Sequence, residues 1–185
     1  MATQPRFRRW TYEDFARLPQ DGGRHEIITG DLFVTPAPMP SHQELVARLV
    51  ELMRPFARKH ELGRILPGPI DVLFAEGDYL EPDLVFVRAE RTHIISKRGV
   101  EAAPDLVIEI VSPTTGMRDR GIKRERYAHF GVPEYWVVDP AAEQIEVYRA
   151  AGEAPEVFSE TLCWQPSGAG PVLEISMTLL FSDLD

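Results

Sequence analysis

The spacing of hydrophobic and polar residues changes along the chain, and its clearest helical stretch covers residues 41–63. Apolar side chains recur there every three or four positions, which predicts a helix with one buried face. The residues that define this face are Leu45, Leu49, Leu52 and Phe56. Ser41 and Glu44 have the spacing of a capping box, so we expect the helix to begin there. Pro55 is expected to kink the helix or end it early, and Gly63 to stop it.

The pattern changes to that of strands from residue 64 onwards. Dense runs of Val, Ile, Leu and Phe predict strands within residues 64–75, 81–88 and 103–113. The last two runs alternate little between apolar and polar residues, which is typical of central strands covered on both faces. Nearer the start, residues 11–19 predict a short capped helix, and residues 24–36 predict a β-hairpin.

The second half of the chain repeats this alternation of elements. Residues 119–130 predict another helix, which Gly131 is expected to end. Residues 132–140 predict a buried strand, with residues 144–150 as its hairpin partner. Two further strand-like runs occupy the tail, at residues 156–162 and 170–176. The order of elements predicts an α/β fold with a mixed central sheet flanked by helices.

The composition is typical of a globular protein and sets limits on function. The chain has 185 residues, 44% hydrophobic and 26% charged, so residues 1–185 are interpreted as one domain. No apolar run is long enough to span a membrane, no secretory signal is visible, and the lone Cys163 fits a reducing compartment, so we expect a cytoplasmic protein. The net charge of -9 argues against broad, non-specific DNA binding but leaves room for a local basic patch.

Two carboxylates stand inside or beside the predicted central strands. Asp83 follows Pro82 at the beginning of one apolar run, and Glu109 lies within the next. Alternation places Glu109 on the face shared by Val107 and Val111. A buried carboxylate is costly unless a cation pairs with it, so we expect Glu109 to contact a metal ion or a lysine.

The helix that follows supplies the lysine. Asp119, Lys123 and Tyr127 are spaced four residues apart and therefore share a helix face. Because only a short loop separates this helix from Glu109, Lys123 is expected to reach back to the strand ends. Two carboxylates are hard oxygen ligands for Mg²⁺, which polarises a phosphate and acidifies bound water. A lysine beside them can stabilise charge, so the group predicts metal-assisted phosphodiester hydrolysis.

The order of these residues resembles the PD-(D/E)XK nuclease superfamily, with Pro82-Asp83, then Glu109, then a lysine on the next helix. Within that superfamily the chain is most similar to the Uma-two family of endonucleases. The matching stretches are HEIITGDL, SHQELVARL, EPDLVFV, PDLVIEIVSPTT and DRGIKRERYAHFGVPEYWVVDP. The chain departs from the E-x-K spacing, because Val111 stands where the lysine would be. The resemblance therefore requires Lys123 as a displaced replacement.

The resemblance implies a restriction-endonuclease-like fold with an N-terminal β-hairpin. It implies Mg²⁺, with Mn²⁺ as a substitute, held by Asp83 and Glu109 and assisted by Lys123. It also implies DNA as substrate and a homodimer, since cutting two strands needs two sites. Glu26 matches a recurrent acidic position of the family and is a further catalytic candidate. A cross-strand surface charge explains Glu26 equally well.

Other residues have local explanations as well as functional ones. Glu44 and His42 are candidate site residues, but both also fit a role at the start of their helix. Asp119 can pair within its own helix, and Tyr127 and Tyr135 fit core positions. A basic cluster could follow a phosphate backbone or form an exposed helix face; its members are Arg118, Arg120, Lys123, Arg124 and Arg126.

Three functions follow from these features. The first is a Mg²⁺-dependent endonuclease acting on DNA. The second is a catalytically silent module of nuclease fold that binds nucleic acid or a protein partner, which the acidic charge favours. The third is a metal-dependent phosphoesterase with a smaller substrate. The sequence has no glycine-rich phosphate loop, zinc-type Cys/His spacing or G-x-S-x-G motif, which disfavours NTPase, zinc-enzyme and serine-hydrolase functions.

Overall fold

The computed structural model describes residues 9–19, 23–75, 77–112, 114–149 and 154–184. The first eight residues, on which part of the secretory-signal prediction rests, lie outside these ranges. The helices among the described residues are α1 (Tyr12–Phe15), α2 (Pro40–Lys59), α3 (Gly116–Arg118), α4 (Arg124–His129) and α5 (Met177–Phe181). A 3₁₀ helix spans Ala89–Ile94, and a π-helical segment spans Asp119–Lys123.

Most strands lie where the apolar runs predict them, but the strand Asp78–Leu80 was not predicted and the run at residues 156–162 is divided between two strands. In chain order they are β1 (Arg24–Ile28), β2 (Asp31–Thr35), β3 (Gly63–Pro67), β4 (Val72–Ala75), β5 (Asp78–Leu80), β6 (Leu84–Arg88), β7 (Leu106–Ile110), β8 (Tyr135–Asp139), β9 (Gln144–Tyr148), β10 (Glu156–Phe158), β11 (Thr161–Trp164) and β12 (Leu173–Ser176). The central sheet has the order β10-β9-β8-β7-β6-β3, and a smaller sheet has the order β2-β1-β5-β4. Strands β7 and β8 are parallel, whereas their neighbours are antiparallel, so the central sheet is mixed as predicted.

The central sheet is covered on both faces. On one face, Leu49 and Met53 of α2 pack with Ile108, Trp136 and further residues from β11, β12 and α5. On the other face, the smaller sheet and α4 pack in a second cluster; its members include Ile28, Leu80, Val107, Val111, Tyr127 and Val137. Glu109 is therefore on the side of the sheet that alternation predicts, facing α4.

The predicted hairpin forms between β1 and β2. Thr29 (φ 54°) and Gly30 (φ 87°) both adopt the left-handed conformation that a two-residue turn of this kind requires. The amide of Gly30 donates a hydrogen bond to the carbonyl of Gly77, at 2.8 Å, which ties the turn to the loop before β5. This bond supports the antiparallel pairing of β1 with β5, in which Ile27 lies opposite Tyr79.

Helix α2 differs from its prediction at both ends. It begins at Pro40 with Met39 as an N-cap that makes no side-chain hydrogen bond, so the predicted capping box of Ser41 and Glu44 is wrong. Proline lacks an N–H group and has the φ of a first helical residue, so it suits this position. The helix also continues past Pro55 to Lys59, because buried residues on both sides of the proline pack against the sheet.

Gly63 does not stop α2 but begins β3. Glu61 (φ 53°) adopts the left-handed conformation just beyond the helix end. Gly63 is required for another reason, because a Cβ there would lie 2.1 Å from the carbonyl oxygen of Val87. Gly131 (φ 81°) does end α4 as predicted, and the amide of Val132 bonds back to the carbonyl of Tyr127 at 2.9 Å. None of the described helices is both long and apolar enough to cross a membrane.

Candidate active site

The helix after β7 is distorted in the segment that carries two buried charged side chains. The predicted single helix from residue 119 is instead α3, a π-helical segment and α4 in succession. Gly121 has non-helical dihedral angles (φ -102°, ψ -105°) at this distortion. Such π-segments are frequent at functional sites. Here the segment contains both Asp119 and Lys123, which are 3% and 2% exposed.

Lys123 lies at the centre of a group of buried carboxylates. Its Nζ is 2.5 Å from Oε1 of Glu109, 2.8 Å from Oε1 of Glu26 and 3.7 Å from Oδ1 of Asp119. The hydroxyl of Tyr127 donates to Oε1 of Glu109 at 2.9 Å. The sequence-based expectation that Glu109 would meet a lysine or a metal is therefore confirmed for the lysine.

Asp83 lies beside Glu109 across the sheet. Leu84 pairs with Ile108 in the antiparallel β6–β7 ladder, so the preceding residue, Asp83, stands opposite Glu109. Side chains of directly opposed residues project from the same face. The backbone amide of Ile110 donates to Oδ2 of Asp83 at 2.7 Å, which fixes the carboxylate at the edge of the ladder.

Two cationic or polar side chains hold Asp83 from the other side. Arg24 donates from its guanidinium to Oδ1 of Asp83, and Nε2 of His42 lies 3.1 Å from Oδ2. Arg24 comes from β1 and His42 from the first turn of α2, so the hairpin and the helix both position this one carboxylate. The Nδ1 atom of His42 is buried and has no hydrogen-bond partner among the described residues.

Burial and charge shift the ionisation of this group in different directions. Burial raises the pKa of Glu109 to about 8 even though Lys123 opposes the shift. Burial acts to lower the pKa of Lys123, but Glu109 and Glu26 outweigh it, so the pKa of the ammonium is raised. Burial acts to raise the pKa of Asp83, but the hydrogen bond from His42 and the charge of Arg24 hold that pKa below its usual value. The group therefore keeps Lys123 charged and Asp83 ionised at neutral pH.

These side chains form the floor of a cavity of about 890 Å³. Its walls come from four parts of the chain: the segment from Thr35 to Leu45, the loop after β7, the β8–β9 turn and the segment from Phe181 to Leu184. The predicted site residues that line it are Glu26, His42, Asp83, Glu109, Asp119 and Lys123. Among the described residues, no three His, Cys, Asp or Glu side chains form a ready-made metal-binding group.

Comparison with known proteins places the chain in a family. Residues 12–178 match the family model Uma2, whose description is "Putative restriction endonuclease". The chain belongs to the Uma2 family. The predicted resemblance is therefore confirmed. No curated protein matches the sequence at a significant level.

A solved structure supports the fold. The crystal structure of "a putative nuclease belonging to DUF820" from Anabaena variabilis superposes with a TM-score of 0.79 at 24% sequence identity. The alignment covers 95% of this chain and 99% of that chain. At this level of identity the likeness concerns the fold, and it agrees with the predicted mixed sheet flanked by helices.

In the Uma2 chain, one candidate residue lies outside the cavity, and one residue of the site was not among the candidates. Glu44 is exposed and pairs with Arg48 at 3.0 Å, so it lies outside the cavity. Arg24 was not predicted, although it precedes Glu26 by two residues in β1 and therefore projects from the same face. This alternation could have indicated Arg24 as a site residue, because an arginine and a glutamate on one buried face each need a partner of opposite charge.

The basic cluster does not form a phosphate-binding stripe in this Uma2 protein. Arg120 pairs with Asp139 at 2.6 Å and with Glu146 at 2.7 Å, and Arg126 pairs with Asp78 at 2.8 Å. Arg118 donates to Oγ1 of Thr35 at 2.7 Å and lies 3.7 Å from Glu26. Arg124 makes no ion pair with any described residue; its guanidinium lies 5.2 Å from the ring centre of Tyr148. Most of the cluster therefore neutralises the protein's own carboxylates.

Proposed function

We propose that this Uma2 protein is a metal-dependent endonuclease that hydrolyses DNA phosphodiester bonds. The observation that carries the proposal is the placement of Asp83 opposite Glu109, with Lys123 against Glu109 on the floor of a cavity. Two carboxylates on one face of the sheet can hold a divalent cation, and a lysine packed against them can stabilise negative charge on a phosphate. Family membership supports the same activity.

The donor chemistry of the site fits a hard divalent cation. Mg²⁺ prefers oxygen ligands and commonly binds through one or two carboxylates while keeping several waters. Asp83 and Glu109 supply two such carboxylates, so a complete three-residue ligand group is not required. We propose that these two residues hold Mg²⁺ or Mn²⁺. When bound, the cation supplies Lewis-acid activation of the phosphate and of a water molecule.

The remaining residues of the floor have distinct proposed roles. Lys123 stabilises negative charge that develops on the phosphate oxygens, for which its buried ammonium is suited. Glu26 holds Lys123 in place through their 2.8 Å ion pair. Arg24 and His42 position Asp83, since each contacts one of its two carboxylate oxygens. Cleavage of both strands of a duplex requires two such sites, and we propose a homodimer for that case.

Replacement of Asp83 by Asn tests the metal site directly. Wild-type protein is expected to show a higher melting temperature in Mg²⁺ or Mn²⁺ than in EDTA, because ligands that bind only the folded state stabilise it. Asp83→Asn keeps the shape of the side chain but removes the charge, so the metal-induced increase should disappear. Differential scanning fluorimetry and calorimetric titration with Mn²⁺ measure both quantities. Glu44→Gln, in the same protein but outside the cavity, should retain the wild-type response.

The alternative is a catalytically silent module with the same fold. The observation that favours it is that Arg24 and Lys123 already neutralise Asp83 and Glu109 without a metal. This alternative predicts equal melting temperatures in Mg²⁺ and EDTA and no heat of Mn²⁺ binding. It also predicts that labelled DNA, native or heat-denatured, stays intact with either metal. A metal-induced rise in melting temperature, a heat of Mn²⁺ binding or cleavage of DNA would each exclude the silent module, provided that Asp83→Asn abolishes the effect.

A further inference from the structure

Among the residues that the structure describes, the cavity above the candidate site is lined by more acidic than basic side chains. Six of these described residues are acidic: Glu26, Asp83, Glu109, Asp119, Glu143 and Asp183. Three described residues are permanent cations, and each has a carboxylate partner; they are Arg24, Arg118 and Lys123. Duplex DNA carries one charge per about 1.7 Å of axis, against about 3.4 Å for one strand. The cavity therefore repels a duplex more strongly than a single strand.

The reacting groups also lie deep within the cavity. Asp83, Glu109 and Lys123 are each about 2% exposed, so a phosphate must enter the cavity to reach them. The volume of about 890 Å³ lies within the range of pockets that enclose small molecules, which is about 300–1,000 Å³. A space of this size suits one or two nucleotides rather than a continuous double helix.

The walls are partly apolar, and one of their segments is tied to α2. Pro38 and Pro140 line two different segments of the wall, and Phe181 lines the segment near the end of the sequence. Arg48 of α2 donates to the carbonyl of Leu180 at 3.0 Å and also to that of Ser182. Because Arg48 ties this segment to α2, the wall is attached to the main body of the fold. Pockets with partly apolar walls and a few polar groups are typical of sites that enclose small organic groups, such as an unpaired base.

From this geometry we propose that the substrate is single-stranded DNA, which bends into the cavity, and not a continuous duplex. A duplex is stiff over about 150 base pairs, so it cannot fold a phosphate and its neighbours into a narrow space without unpairing. A single strand bends freely and presents its bases to the walls. The cleavage step of this proposal rests on the proposed nuclease function, but strand binding does not.

Fluorescence anisotropy and a cleavage assay test the proposal together. A fluorescein-labelled oligodeoxynucleotide is compared with the blunt duplex of the same sequence, with wild-type protein in Ca²⁺ for binding and in Mg²⁺ or Mn²⁺ for cleavage. We expect the single strand to bind about tenfold more tightly and to be cut faster by a similar factor. Equal or tighter binding of the duplex, or no binding of either form, would overturn the proposal. Binding of the single strand without cleavage would support the substrate class and contradict the nuclease function.

Two neighbouring alanines provide a matched control for the cavity. Ala141 and Ala142 are both exposed, and both donate their backbone amides to Oδ1 of Asp139, but only Ala141 lines the cavity. Ala141→Trp should narrow the entrance and weaken single-strand binding about tenfold. Ala142→Trp should leave it unchanged. Equal effects of the two substitutions would show that the strand binds elsewhere and would overturn the proposal.

Discussion

Glu109→Gln is expected to reduce DNA cleavage about a thousandfold while leaving a folded protein. The substitution removes the negative charge that would hold the divalent cation, and metal activation contributes several kcal/mol to such reactions. The fold should tolerate the change because glutamine keeps the shape of the side chain and Lys123 keeps Glu26 and Asp119 as ion-pair partners. Loss of labelled single-stranded and duplex DNA over time, with Mg²⁺ or Mn²⁺, measures the effect.

Glu44→Gln is the control for this experiment. Glu44 is an exposed acid on α2 whose partner is Arg48, and it does not line the cavity. The Glu44→Gln variant should cleave DNA at the wild-type rate. Equal activity of wild-type and Glu109→Gln preparations, purified in the same way, would indicate a contaminating nuclease and contradict the assignment of Glu109.

The overall fold was largely predictable because its central strands are unusually uniform. The runs that became β6, β7 and β8 are apolar on both faces, and only a sheet covered on both sides accommodates them. The ends of α2 were not predictable from capping rules alone. Pro40 competed with Ser41 for the beginning of the helix, and packing of Met53 and Ala57 overrode Pro55 near its end.

The candidate site was predictable where a residue conflicted with its surroundings. Glu109 stood out because a carboxylate within an apolar strand needs a partner. Lys123 was predicted from its helix spacing and from the family resemblance and not from such a conflict, since it lies within an ordinary charged run. Lys123 lies in a π-segment with a distortion at Gly121, which helix periodicity does not anticipate. Arg24 and Asp83 are 59 positions apart in the sequence, so their contact could be expected only once the sheet topology was known.

Lys123→Met is expected to destabilise the protein by about 3–5 kcal/mol, the usual cost of removing one partner from a buried ion pair. Methionine fills the space of the lysine stem but leaves Glu26, Glu109 and Asp119 without the cation that they share. Urea unfolding monitored by tryptophan fluorescence measures the loss. Lys59→Met, an exposed position in the last turn of α2, should change the free energy of unfolding very little.

The cost of Lys123→Met should also increase with pH. Burial already raises the pKa values of Glu109 and Asp119, and without the ammonium these folded-state pKa values rise further. A group whose pKa is raised by folding stabilises the fold below its unfolded pKa, and that stability is lost as the pH rises through the folded pKa. The variant should therefore lose more stability near pH 9 than near pH 5. Adding Glu109→Gln to Lys123→Met should recover part of the loss, because it removes one unpaired charge. A small loss that does not depend on pH would mean that Lys123 does not balance these carboxylates.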